Sequence, residues 1–429
     1  MVAAKERTVV LATKSTQKQV TPLAQPEPGL TPEQIIQRAI DLRPLLLDGQ
    51  ADAEERGTYS PEMHERFRKA GFYRILQPVM YGGYEFDLTV FSRVIVEIAR
   101  GCPGSGWCLC LASGHAVNAA ALFDKAGQDI IFGNDGEFAA PARGVPGGTA
   151  TECDDGWIID GTWDYCSGSP YSTHAIVGVR IAGPAKDGPP ELGIAMVPRS
   201  GWEMIDNWRD FIGMRASGSN SIRIDKQWIP KALLVRQNFF AVNIDGGTEG
   251  YKLHGNSMYS GRMFGFFQAE ITSILVGVGF AALDEFERIV GLRAGAPKFG
   301  PPMPGVPDFH RPYGVALGML EMASNALAAG TRSYLDYCER GVKDPSAYTE
   351  FDDLRIQAGL QHAAHLSMDA VEILYSAAGT STSAKNGSRL QRYYRDISMA
   401  RTNPGLQFDK TAMQLAARRF PEGPQGPRP

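Results

Sequence analysis

Three features of the chain predict an α+β fold. They are helical periodicity over about 30–134, short β-prone runs between Gly- and Pro-rich turns from about 137, and long helical patterns after Asn256. The first helix starts at Thr31-Pro32-Glu33-Gln34, a capping box with proline at the first helical position, and Ile35, Ile36, Ile40 and Leu42 follow at helical spacing. Ser60-Pro61-Glu62 repeats the start signal, and Phe86–Ala99 and Ser105–Leu122 continue as amphipathic or buried helices. Residues 1–29 mix Lys, Gln, Thr and Pro without sustained periodicity, and Pro22, Pro26 and Pro28 discourage a helix, so a flexible arm is expected there.

Strands are predicted at Trp157–Ile159, Ala175–Ile181, Leu192–Val197, Ser221–Ile224 and Leu233–Val235, separated by turns such as Asp154-Asp155-Gly156 and Asp187-Gly188-Pro189-Pro190. Their spacing fits a compact β-barrel or a sandwich. Long helices are then expected at about 258–293, 310–341, 346–378 and 388–418, with a break at Asn403-Pro404-Gly405, and four such helices make an antiparallel bundle. The most apolar run, Ile271–Leu283, falls short of the ~20 residues a bilayer span needs and is bracketed by Gln268, Glu270 and Asp284, which favours a buried core helix. The resulting division is an arm (1–29), a helical domain (30–136), a β domain (137–250) and a helical bundle (251–429).

The composition excludes several function classes. With 43 Lys and Arg against 47 Asp and Glu, the net charge of −4 offers no overall field for a nucleic-acid backbone or an anionic membrane. Six cysteines in 429 residues, with no pair of CxxC knuckles, indicate no structural zinc and fit reduced thiols in the cytoplasm. The N-terminus lacks the apolar core of a secretion signal. Phosphate-loop, zinc-protease, nucleophile-elbow and dinucleotide-binding motifs are all missing, so tight NAD binding on this chain is not expected.

Five segments, in order along the chain, carry a family resemblance. Phe72-Tyr73-Arg74-Ile75-Leu76-Gln77-Pro78-Val79-Met80-Tyr81-Gly82-Gly83-Tyr84 resembles the helix-to-loop segment of the acyl-CoA dehydrogenase superfamily. Ile98-Ala99-Arg100-Gly101-Cys102-Pro103-Gly104-Ser105-Gly106-Trp107, Gly161-Thr162-Trp163-Asp164-Tyr165-Cys166-Ser167-Gly168, Gly213-Met214-Arg215-Ala216-Ser217-Gly218-Ser219 and Leu390-Gln391-Arg392-Tyr393-Tyr394-Arg395-Asp396 are similar to one branch, the two-component flavin-dependent monooxygenases. The resemblance implies an acyl-CoA-dehydrogenase-like fold: an N-terminal helical domain, a central β-barrel and a C-terminal four-helix bundle, assembled as a homotetramer. It further implies an oxygenase component that takes reduced FMN or FAD by diffusion from a separate flavin reductase. With O2 it would oxygenate a small aromatic or heteroatom-containing substrate through a C4a-hydroperoxyflavin.

Dehydrogenases that use the late-helix base carry a Glu eight residues after the Asp of R-D, where this chain has Pro404; hydroxylating relatives commonly carry a His one residue earlier, where it has Asn403. The first departure argues against α,β-dehydrogenation by that base. A dehydrogenase-like flavoprotein with a relocated base, and a homologue that binds a ligand without turnover, are the rival readings.

The resemblance assigns the site residues. Ser167 would meet the flavin N5, and Gly168 beside it would let the backbone approach the ring. His115 would lie over the reacting edge, where it orients substrate or passes a proton, and it shares a face with Trp107 two turns earlier, a pocket-wall residue. Asn403 would hydrogen-bond substrate. Arg215, Ser217 and Ser219 would hold the ribityl chain or phosphate, and Trp208 would stack on the ring or pin the barrel core. Arg293 and Gly379-Thr380-Ser381 would reach a neighbouring subunit's cofactor. A turn serine, a core histidine, a helix stop at Asn403 and plain loops are the structural alternatives for these residues.

Overall fold

The computed structural model describes residues 22–183, 189–293 and 307–420. The chain begins with α1 (Pro32–Asp48), α2 (Gln50–Arg56), α3 (Pro61–Ala70), α4 (Leu88–Gly101), α5 (Pro103–Gly114), α6 (Ala116–Leu122) and α7 (Lys125–Phe132). Both reciprocal bonds of the capping box at Thr31 and Gln34 are present, and the Ser60 hydroxyl caps α3 through Met63 N. The helix expected over Ser105–Leu122 is broken at His115, which ends α5 and starts α6.

Seven strands follow: β1 (Ala142–Cys153), β2 (Gly156–Trp163), β3 (His174–Ile181), β4 (Leu192–Pro198), β5 (Glu203–Ile205), β6 (Ser221–Pro230) and β7 (Leu234–Val235). They form one sheet in the order β5-β6-β2-β1-β3-β4-β7. β1 pairs in parallel with β3, and every other pairing is antiparallel. Among the described residues β5 and β7 are edges and no pairing joins them, so the closed barrel that was expected is here an open sheet. A register shift between Arg143 and Gly148 leaves residues 144–147 of β1 out of its ladder with β3.

The remaining helices are α8 (Glu249–His254), α9 (Met263–Arg293), α10 (Pro307–Lys343), α11 (Glu350–Ala377), α12 (Thr380–Ser383), α13 (Arg389–Ala400) and α14 (Phe408–Arg419). The pattern expected to run from 388 to 418 is split by a 3-10 turn at Pro404–Leu406. α9 is long and apolar enough to cross a bilayer, yet most of it is buried, packed by α4, α10 and α11. It is the core helix of the fold.

Residues 22–29, expected to belong to the flexible arm, are held in place. Leu23 N donates to Met80 O at 3.0 Å, Gln25 Nε2 donates to Gly83 O at 2.8 Å, and Glu27 pairs with Arg38 at 2.7 Å. The rest of the expected arm (1–21), the turn residues Asp187 and Gly188, and residues 294–306 between α9 and α10 lie outside the described residues.

Candidate active site

α5 is a Gly-, Ser- and Cys-rich helix with nearly every residue buried. Its small side chains let loops of the sheet lie directly on it. Gly168 takes a left-handed φ of +86°, and a Cβ there would stand 2.7 Å from the Ala112 Cβ, so both backbone conformation and close approach require glycine. Further along α5, Ala112 O accepts from Ala140 N at 2.9 Å, and the His115 ring contacts Ala140 O at 2.7 Å.

At the Trp107 end, the indole N–H donates to Ser167 Oγ at 3.1 Å. Ser167 Oγ lies 2.7 Å from Ser219 Oγ, which lies 2.6 Å from Ser217 Oγ. Ser217 and Ser219 are therefore buried behind Ser167. They belong to a loop clamped onto α13. Arg395 donates to Ile212 O at 2.7 Å, and Met214 N donates to Asp396 Oδ1 at 2.6 Å. Between them, Gly213 lies so close that a Cβ would stand 2.2 Å from Arg395 O. Met214 takes φ +51°, a left-handed conformation costing ~1–2 kcal/mol for a residue with a Cβ, and is pinned by Asp396 on its N–H and by Trp208 on its carbonyl. Burial pushes the Asp396 carboxyl up to about 7, against the lowering effect of the Met214 N–H.

Trp208 offers no free face on its Phe211 side. Its N–H donates to Met214 O at 2.9 Å and Phe211 stacks on it at 4.1 Å, so its observed contacts pin the loop.

His115 is buried, and burial pushes its imidazole down to about 4, only partly offset by the bond to Ala140 O. Since that carbonyl only accepts, Nδ1 carries the hydrogen and Nε2 is an acceptor; among the described residues Nε2 has no hydrogen-bond partner. In the folded protein this ring is therefore neutral near pH 7. Phe267 of α9 meets it edge-on at 6.0 Å. One turn further along α9, Ile271 approaches Gly405, in the turn that Asn403 opens. The Asn403 side chain accepts from Gly405 N at 2.8 Å, a capping bond.

Two neighbouring polar clefts, each of about 530 Å3, meet at Asn386 and Gly387. One is lined by Arg209, Arg215 and Arg395 against Asp210; the other by Arg288, Lys385 and Arg389 against Glu285, with Ser381 and Thr382. Thr380 opens α12 just after Gly379, whose φ is +80°. The backbone of Arg293 ends α9, and its side chain lies outside the described residues. Sequence reasoning missed the cleft cations Arg209, Arg288, Lys385 and Arg389, none of which falls in a motif. It also assigned no role to Glu270, although a carboxyl inside an apolar helix is itself a signal.

Residues 270–407 match the family model of the acyl-CoA dehydrogenase C-terminal domain. The flavin-dependent monooxygenase oxygenase subunit HsaA of Rhodococcus jostii is 24% identical over 374 residues, covering 86% of this chain and 93% of that protein. The oxygenase component of p-hydroxyphenylacetate 3-hydroxylase from Acinetobacter baumannii is 24% identical over 390 residues, covering 90% and 89%. The structure of XiaF from Streptomyces sp. in complex with FADH2 and glycerol superposes with a TM-score of 0.81 at 21% identity, covering 92% of this chain and 97% of that one. The family model over residues 270–407 and the relatives of near-equal length show what the chain is similar to: the acyl-CoA dehydrogenase C-terminal domain and, over most of its length, flavin-dependent monooxygenase oxygenase components.

Proposed function

We propose that this chain is the oxygenase component of a two-component flavin-dependent monooxygenase acting on a small aromatic or heteroatom-containing molecule. The observation that carries the reading is the 208–219 loop. At Arg215 it lines a cleft with three arginines against one aspartate, and at Ser217 and Ser219 it continues into the hydroxyls behind Ser167. A ligand with a planar polar ring and an anionic tail fits that donor set, the ring at Ser167 and the tail among the cleft cations. Reduced FMN or FAD, when bound, supplies two electrons to O2, so that one oxygen atom enters the substrate and the other leaves as water.

The protein's own groups have definable tasks. Ser167 hydrogen-bonds the ring, and Trp107 holds the Ser167 hydroxyl in place. Neutral His115 offers Nε2 to a hydroxyl or N–H of the substrate, while Phe267 beside it forms an apolar wall that excludes water. Pro404 supports the choice over dehydrogenation, because no carboxylate stands where the late-helix base would be. The reading includes a separate reductase, a cytoplasmic location consistent with six free cysteines, the division into helical, β-sheet and helical-bundle domains, and a homotetramer.

The test is an anaerobic titration with reduced and oxidised FMN and FAD, followed by turnover under 18O2 with phenols, indoles and sulfur heterocycles. Reduced flavin should bind more tightly than oxidised, and product should carry one 18O atom. Reduction of bound flavin by an acyl-CoA, or product oxygen drawn from water, would reject the proposal.

A further inference from the structure

Three buried hydroxyls stand in a row at Ser167, Ser219 and Ser217, with exposures of 7%, 4% and 0%. Each hydroxyl has one hydrogen to give and two lone pairs to receive with. The two contacts in the row consume two of the three hydrogens, which leaves one. Where it lies decides what the site offers a ligand.

If the row runs from Ser167 inward, the spare hydrogen belongs to Ser217, which is fully buried and has no other side-chain partner among the described residues. If both neighbours donate to Ser219, its own hydrogen is stranded in the same way. Either arrangement leaves a buried donor unmet, which folding disfavours. Trp107 adds a second constraint, because an indole N–H only donates, so one lone pair of Ser167 is already engaged. One arrangement strands nothing. Ser217 donates to Ser219, Ser219 donates to Ser167, and the Ser167 hydrogen points away from both.

We propose that Ser217 and Ser219 are positioning residues that commit the Ser167 hydroxyl to donate outward, with both of its lone pairs filled from within. The proposal rests on the reading above that Ser167 faces the flavin ring. It then makes Ser167 selective for an acceptor. An oxidised ring, whose N5 presents an in-plane lone pair, accepts that hydrogen, whereas the N5 hydrogen of a reduced ring finds no free lone pair on Ser167, so the tighter binding of reduced flavin expected above is carried by contacts other than this one. A chain of hydroxyls donating in one direction also polarises its last member, making Ser167 a stronger donor than an isolated serine.

Two experiments test this. Neutron diffraction from deuterium-exchanged crystals of the ligand-free protein should place the Ser167 deuterium away from Ser219; a deuterium on the Ser219 side overturns the proposal whatever the flavin data say. In solution, Ser219→Ala frees a lone pair on Ser167. The ratio of oxidised to reduced FMN affinity, measured by anaerobic titration of the full chain, should fall by about fivefold, the size of one neutral hydrogen bond. A ratio unchanged in Ser219→Ala but shifted in Ser167→Ala also overturns the proposal. A ratio unmoved even in Ser167→Ala would overturn the placement of the hydroxyl at the ring, while the neutron result would still decide the direction of the row.

Discussion

Glu270 is a carboxyl at the core of the protein with neither oxygen hydrogen-bonded among the described residues. It sits where Gly114 leaves room, since a Cβ on that glycine would stand 2.0 Å from Glu270 Oε1. Burial pushes its carboxyl well above the ordinary range, so it stays protonated in the fold. The folded state thus keeps a proton that the unfolded chain releases near its reference pKa of ~4.3. Stability is full below that pH and is lost as pH rises toward the folded value. Glu270→Gln keeps the shape without the ionisation, and we expect its urea midpoint to exceed that of the native chain at pH 8 and to converge with it near pH 4.5. Parallel midpoints across that range would mean that the acid does not titrate as described. His115 works with the opposite sign: its folded value of about 4 lies below the unfolded ~6.5, so its contribution is complete above 6.5 and lost as pH falls toward 4. Its neutral ring also predicts that kcat/KM shows no inflection near 6.5 that His115→Gln removes. The substitution should cost about tenfold or more through the lost acceptor geometry. A limb at 6.5 that vanishes in the variant would return the imidazole to proton exchange.

The loop from Trp208 to Ser219 owes its shape to α13. Gly213→Ala would drive a methyl to 2.2 Å from Arg395 O, and overpacking of this kind costs ~1–3 kcal/mol. We expect a lower melting temperature and weaker flavin binding together, measured by calorimetry and titration; a change in one without the other would separate the loop from the site. Elements with local signals were the readable ones. The capping box at Thr31 and the Ser60-Pro61 start involve residues within one helical turn, so the sequence displays them completely. β1 escaped because Gly144, Pro146, Gly147 and Gly148 look like a loop, and only pairing with β2 and β3 makes them a strand. The break at His115 escaped because apolar residues continue on both sides of it. Ser167, Ser217 and Ser219 were readable as motif members, but their contact joins segments fifty residues apart, and no local pattern carries it. Trp208 was readable as an aromatic near the site, while its partner Phe211 decided which face was covered.

Across the whole chain, α10 leaves apolar side chains uncovered on a two-turn spacing, with Val315 44% and Met322 63% exposed. The homotetramer proposed above would cover them. Light scattering after gel filtration should give four times 46.6 kDa, and Met322→Glu should lower the assembled fraction; a native mass of one chain would remove the assembly. α9 carries a different consequence, one of timing. Two of the helices that cover it, α10 and α11, are synthesised after it, and at ~5–20 residues per second the apolar faces of α9 wait on the order of ten seconds for Ala377 to leave the ribosome. During that interval the nascent chain exposes a segment with the length and hydropathy of a membrane span, so folding depends on whatever shields it until translation is nearly complete.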